Sequence, residues 1–218
     1  MLWSGRTNMP RRLVIGSRNA KKVREMRALI RPPWAASPLP EEWEIVGLED
    51  FPNAPEPEET GATFEENARI KAVEFARALG EWVLADDSGL TVDSLDGAPG
   101  VLSARYAGAH GDDDANNAKL LDALREVPQD RRGAAFICRL AISDPTGEVR
   151  LESGGSCRGR IVDHVTGVGG FGYDPLFLIP EYHKTFGELP AIVKHQLSHR
   201  CRAFEHLRAA LNSYPIPK

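Results

Sequence analysis

Leu84-Ala85-Asp86-Asp87-Ser88-Gly89-Leu90 is the stretch on which the reading of this chain turns. The apolar run Glu81-Trp82-Val83-Leu84-Ala85 reads as a short strand that meets two adjacent carboxylates and breaks at Ser88-Gly89. Open α/β sheets place ligand chemistry at strand ends. Neighbouring carboxylates repel unless a cation or a proton neutralises them. Successive strand residues point to opposite faces, so Asp86 and Asp87 do not both face one ligand while the strand persists. One faces a site and the other supports it from behind. A strand that merely ends in a polar turn has the same signature, so the weight comes from the rest of the chain.

Upstream, residues 13–16 form a buried-strand candidate, followed by the polar turn Ser17-Arg18-Asn19. A helix is expected over residues 20–30, stopped by Pro32-Pro33. Residues 31–42 read as a Pro- and Ala-rich connection, 43–48 as a strand and 50–61 as an acidic, proline-containing loop. Thr63 and Glu66 make a capping box that opens a second helix, with Phe64, Ala68, Ala72, Phe75 and Leu79 at helical spacing. Downstream, residues 93–111 are punctuated by Gly and Pro, and a helix over 114–127 is closed by Pro128. Strands at 134–143 and 148–153 flank the turn Asp144-Pro145-Thr146-Gly147 as a hairpin, which residues 158–162 extend. A glycine-rich loop, 167–174, precedes a strand at 176–179, and a last helix spans 198–211. Helix–strand alternation followed by a hairpin predicts an α/β protein with a mixed sheet.

At 218 residues the chain suffices for one large domain or two small lobes, with a sizeable core. A net charge of -4 argues against broad nucleic-acid binding while leaving room for a local basic pocket. The cysteines Cys138, Cys157 and Cys201 form no CxxC pair, which fits a reducing cytosol better than a disulfide framework. No run approaches the ~18 apolar residues of a membrane span. Residues 1–12 carry Arg6, Arg11 and Arg12 without an apolar core, and read as an N-terminal extension, not a secretory signal. The expected location is the cytoplasm.

Four further segments carry candidate chemistry. Ser17-Arg18-Asn19-Ala20-Lys21-Lys22 joins a strand to a helix, where amides and lysines favour an anion. It lacks the glycines of a Walker loop. Asn67 and Lys71 share a helix face, and Glu58 and Glu59 lie just before that helix, within reach of a metal. In Gly169-Gly170-Phe171-Gly172-Tyr173-Asp174-Pro175, glycines allow close backbone approach, Phe171 offers a face for a base and Asp174 an acceptor. Lys194 precedes Ser198-His199-Arg200, whose donors suit a carbonyl-bearing base. Each segment alone also reads as a capped helix or a solvated turn.

Taken together, and in this order, the segments resemble the inosine/xanthosine triphosphate pyrophosphatase family, which removes aberrant purine nucleotides. The likeness includes Glu59-Thr60-Gly61, Gly97-Ala98-Pro99-Gly100 and Ser103-Ala104-Arg105-Tyr106, and covers nearly all of residues 13–211. The resemblance implies one catalytic domain over 13–212, an elongated two-lobed α/β fold around a long mixed sheet with a central cleft. It also implies a homodimer and a required Mg²⁺. The implied reaction hydrolyses inosine, xanthosine and deoxy triphosphates to the monophosphate plus pyrophosphate. By the same likeness Asp87 is the essential carboxylate, acting on water or metal, with Glu58 or Glu59 as a metal ligand. Residues 17–22, Lys71 and Ser88 correspond to triphosphate contacts. Phe171, Gly172, Tyr173, Asp174, Lys194, His199 and Arg200 correspond to the base-recognition set. The chain departs from the family where Cys201 replaces a glycine, where Ala191-Ile192-Val193 replaces acidic residues, and where residues 155–159 lack an aromatic. Two other readings compete: a pyrophosphatase for modified pyrimidines, and a nucleotide sensor without turnover.

Overall fold

A computed structural model describes residues 11–34 and 43–213. The elements follow the chain as β1 (Arg11–Ile15), α1 (Ala20–Ile30), β2 (Trp43–Gly47), α2 (Phe64–Leu79), β3 (Trp82–Val92) and α3 (Asp113–Ala123). They continue as β4 (Gly133–Ser143), β5 (Val149–Ile161), β6 (Phe177–Ile179), β7 (Lys184–Thr185), α4 (Ala191–Leu197) and α5 (His199–Ser213). One seven-stranded sheet runs in the order β2-β1-β3-β4-β5-β6-β7. β1 is parallel to β2 and β3, and the remaining neighbours are antiparallel, so the expected mixed sheet is present.

Strand β3 differs from its expected form. It does not stop at Asp86 but continues to Val92, pairing with β4 from Val83↔Ser143 to Val92↔Ala134. Ser88-Gly89 reads as a turn locally, yet here it serves a close approach. A Cβ on Gly89 would lie 2.3 Å from Ser103 Oγ and 2.8 Å from Gly100 O, so only glycine lets the 100–105 segment cross the strand. The same logic fuses the expected strands 148–153 and 158–162 into one β5, because a Cβ on Gly155 would meet His199 O at 2.3 Å. Helix α3 ends at Ala123, short of residue 127, and the buried Arg132 takes the Leu124 and Val127 carbonyls, each at 2.9 Å. The short helix α4 is an addition to the expected elements. β1 begins at Arg11, so residues 11 and 12 belong to the sheet, not to an extension. Residues 1–10 and most of the 31–42 connection lie outside the described residues.

Helices α1 and α5 cover one core, built on Leu13, Ile15, Met26, Leu84, Leu140, Phe204 and Leu207. The capping box at Thr63 and Glu66 starts α2 as expected. Its Ala68 and Ala72 pack on Ala85 and Ala141, so small side chains let helix and sheet approach closely. Beyond β3, a further core gathers Leu90, Val92, Leu120, Phe136, Phe177 and Phe186. β1 pairs with β3 only from Trp82 to Leu84, and an isolated bridge follows at Thr91↔Pro99. Between these points that edge of β3 has no strand beside it among the described residues. The open stretch contains Asp86, Asp87 and Ser88. Among the described residues, no helix is long and apolar enough to cross a membrane.

Candidate active site

Because β3 continues through the carboxylate pair, Asp86 and Asp87 face opposite sides of the sheet and meet different helices. On the α1 and α5 side, Asp86 is 1% exposed and accepts from Ser88 Oγ at 2.9 Å. Lys22 Nζ lies 3.3 Å and Arg200 Nε 3.5 Å from its Oδ2. Burial pushes the Asp86 carboxyl up, but Lys22, Arg200 and Lys71 outweigh it and hold the group well below the usual carboxylate range.

On the α2 side, Lys71 Nζ donates to Asp87 Oδ1 at 3.0 Å and to Glu59 Oε1 at 2.9 Å, and Asn67 Nδ2 donates to Asp87 Oδ2 at 3.3 Å. Asn67 and Lys71 are one turn apart on the buried face of α2, and the small Ala68 and Ala72 beside them leave room for an extended ammonium against the strand. Burial pushes the Asp87 carboxyl up further than Lys71 and Lys22 draw it down. Glu59 is also pushed up by burial, yet Lys71, Lys22 and Arg105 bring it below its ordinary value. Burial would lower the Lys71 ammonium, but Asp87, Asp86 and Glu59 hold it above its ordinary value. Lys22 therefore acts electrostatically on the carboxylates of both sheet faces. Of the two glutamates left open by the sequence, Glu59 faces the site. Glu58 is exposed, and its side chain has no hydrogen bond or ion pair among the described residues.

The Ser17–Lys22 turn is arranged differently from the simple anion site expected of a helix start. Asn19 Oδ1 accepts from Lys21 N at 3.0 Å and Lys22 N at 3.1 Å, and Ser17 Oγ accepts from Asn19 N at 3.3 Å. The cap takes amides that would otherwise point at an anion. Attraction for phosphate here rests on the Lys21 and Lys22 ammonium groups. Ala20 is the exposed first residue of α1, and Arg18 donates to Glu56 at 2.8 Å, engaged with the acidic loop.

The base-recognition candidates converge as a second cluster. A cavity of about 90 Å³ is lined by Lys22, Ser88, Phe171, Lys194, His199 and Arg200. Lys194 Nζ stands 4.9 Å and Arg200 Cζ 5.6 Å from the centroid of the Phe171 ring. Arg200 donates to Ser88 Oγ at 2.7 Å, which ties this cluster to β3. His199 is buried and stacks on Phe136, centroids 4.9 Å apart. Burial, with Arg200 and Lys194 nearby, holds its pKa well below the ordinary value, so the ring is neutral, and no partner reaches Nδ1 among the described residues. Asp174 Oδ2 accepts from Phe171 N at 2.7 Å and Lys194 Nζ at 2.6 Å, so that oxygen secures the loop. Tyr173 packs into the core beyond β3, with its hydroxyl donating to Ser103 O at 2.9 Å. Cys201 is absorbed into the α1/α5 core, while Ser198 Oγ accepts from Cys201 N at 3.1 Å and caps α5.

One buried group escaped the sequence. Glu25, on α1, accepts from Lys194 at 2.9 Å and Arg200 Nη1 at 2.7 Å. With Asp174 it places two carboxylates on the Lys194 ammonium. Its only local signal is helical spacing three residues after Lys22.

Across the described residues, no three His, Cys, Asp or Glu side chains cluster to hold an ion by themselves. Glu59 and Asp87 nonetheless converge on one cationic nitrogen. Two carboxylates aimed at one point are a donor set that fits a hard divalent cation.

Similarity to known proteins extends over nearly the whole chain. The Ham1 family model matches residues 13–210. The chain is 58% identical over 192 residues to the dITP/XTP pyrophosphatase of Rhodopirellula baltica, covering 88% of each chain. It is 49% identical over 197 residues to that of Geobacter sulfurreducens, covering 90% of this chain and 94% of the relative. A HAM1 protein from Coxiella burnetii superposes with a TM-score of 0.81 at 37% identity, over 94% of this chain and 100% of that one. A match running from β1 into α5, and so spanning both clusters, places the chain in the Ham1 family.

Proposed function

We propose that this chain is a nucleoside triphosphate pyrophosphatase that hydrolyses inosine and xanthosine triphosphates and their deoxy forms to the monophosphate and pyrophosphate. Residues 13–212 act as one catalytic unit. The observation that carries the reading is the Lys71 ammonium held between Asp87 and Glu59, beside Lys22 on Asp86. The curated relatives, named dITP/XTP pyrophosphatase, support it.

A triphosphate brings about four negative charges, and stabilising them while positioning a water accounts for most phosphoryl-transfer catalysis. Lys21, Lys22 and Lys71 offset that charge. Asp87, held by Asn67 and Lys71, orients a water against the α-phosphorus and takes its proton, and pyrophosphate leaves. Glu59 and Asp87 would hold Mg²⁺, which when bound neutralises phosphate charge and lowers the pKa of water. At the other end, a purine lies against Phe171, with His199, Lys194 and Arg200 offering donors to O6. Adenine presents an amino donor there and leaves buried donors unpaired, which rejects it by up to about 10⁴-fold.

Incubation of the chain with Mg²⁺ and each of inosine, xanthosine, adenosine and guanosine triphosphate, followed by product identification, tests this. The expected result is monophosphate plus pyrophosphate, mainly from the first two. Diphosphate plus inorganic phosphate would overturn the site of cleavage. A paired substitution tests the glutamates. Glu59→Gln is expected to raise the Mg²⁺ concentration for half-maximal rate about tenfold or more. Glu58→Gln is expected to leave it within about twofold, since surface changes away from such contacts are nearly neutral. Equal effects would refute the assignment of Glu59.

A further inference from the structure

Helix α3 buries side chains that are poor choices for packing. Its buried residues are Asn116, Asn117 and Leu120, two amides where a core-facing stripe would use leucines. A buried amide destabilises unless it is hydrogen-bonded. Both are used to hold loops. Asn116 Oδ1 accepts from Ala107 N at 2.7 Å, and Asn117 Nδ2 donates to Gly172 O at 3.0 Å. One turn before Asn117, Asp113 Oδ2 accepts from Gly172 N at 3.0 Å. Residues four apart share a helix face, so α3 grips both backbone polar groups of a single glycine. Gly172 has φ +60, in the left-handed region, and directly follows Phe171. Asn117 Oδ1 stays buried with no partner among the described residues, a penalty that a leucine would not carry. Asp113 Oδ2 also accepts from Lys21 Nζ at 3.0 Å, and Lys21 Nζ is 5.7 Å from the Phe171 ring centroid. One carboxylate thus joins the phosphate-side lysine to the base-side loop.

Resting on the pyrophosphatase reading above, we propose that Asp113 and Asn117 are positioning residues that clamp Gly172, set the Phe171 ring against the base, and tie that loop to Lys21. Neither needs to touch the nucleotide. Their removal weakens affinity for the base-bearing substrate and leaves the chemical step at the α-phosphorus intact.

The test uses the full chain with Asn117→Leu, Asp113→Ala and Asp113→Asn. Four quantities are read: kcat and KM for inosine triphosphate, the inhibition constant of inorganic tripolyphosphate, which has no base, and the melting temperature. For Asn117→Leu the expected result is a KM about fivefold to tenfold higher, the yield of one lost hydrogen bond. Its kcat changes by less than about twofold, tripolyphosphate inhibition is unchanged, and melting is no lower. Asp113→Ala raises KM by about tenfold or more, and Asp113→Asn recovers part of the loss because its amide oxygen still accepts from Gly172 N. An unchanged KM in folded Asn117→Leu overturns the proposal, as does tripolyphosphate inhibition weakening in step with KM. Should Asn117→Leu not fold, the Asp113 pair decides: equal KM in Asp113→Ala and the wild type overturns it. Release of inorganic phosphate instead of pyrophosphate by the wild type would defeat the proposed reaction, while the KM and inhibition comparison would still be read on that product.

Discussion

Asp87→Asn is expected to lower kcat by about 10³- to 10⁴-fold while the protein stays folded. Its loss removes a positioned general base, a contribution of this order, at the group where water and phosphate meet. Stability is expected to survive for a specific reason. Burial already opposes the charged form of Asp87, so a neutral amide is no worse solvated there. Lys71 keeps Glu59 at 2.9 Å and is not left as an unpaired buried charge. Steady-state pyrophosphate release together with a thermal melt checks both halves. A folded Asp87→Asn protein that retains more than about a tenth of wild-type kcat would remove Asp87 from the centre of the mechanism.

Glu25→Gln is expected to give the largest loss of stability among conservative changes at the site. Glu25 is 12% exposed and bridges Lys194 and Arg200, which are 7% and 4% exposed. Breaking a buried ion pair from one side costs about 3–5 kcal/mol, and a chain of this size loses about 2–4 °C per kcal/mol. A drop on the order of 10 °C at pH 7 follows. Its pH dependence has a definite sign. Burial pushes the Glu25 carboxyl up, but Arg200 and Lys194 bring it below its ordinary value of 4.5. A folded-state pKa below the unfolded value contributes stability above about 4.5, which is lost as pH falls through the folded value. The melting gap between wild type and Glu25→Gln should therefore be full at neutral pH and narrow as pH falls below about 4.5. A gap independent of pH from 3 to 8 would show that the variant acts through packing and not through charge.

The parts of the molecule that were legible in the sequence are those governed by local chemistry. Thr63 and Glu66 announced α2, and the spacing of Asn67 and Lys71 put both on the face that meets Asp87. The mixed sheet followed from helix–strand alternation ahead of a hairpin. What stayed hidden depends on contacts distant in sequence. Ser88-Gly89 carries a turn signature that the 100–105 segment overrides, because it crosses at Gly89 where no Cβ fits. The same holds for Gly155 beneath α5. Glu25 meets partners 169 and 175 residues away, and no periodicity records such a pairing. Asn19 was visible as a turn residue, but whether its amide caps the helix or leaves the amides for phosphate depends on a rotamer. Asp113 and Asn117 look like ordinary polar positions on an acidic helix start, and only the return of the glycine loop 55–59 residues later gives them a task.

The unbroken β3–β4 ladder has a consequence for how the protein fails. Asp86 and Asp87 sit mid-strand, flanked on both sides along the ladder by paired backbone. Segments of that kind open last in native-state fluctuations, while loops held by a few side-chain contacts open first. The reacting carboxylates ride on the slow-opening part, whereas Phe171 belongs to a glycine loop of the second kind. Under mild heat or denaturant the protein would then lose fidelity before it loses turnover, becoming an indiscriminate triphosphate hydrolase for a narrow interval before it unfolds.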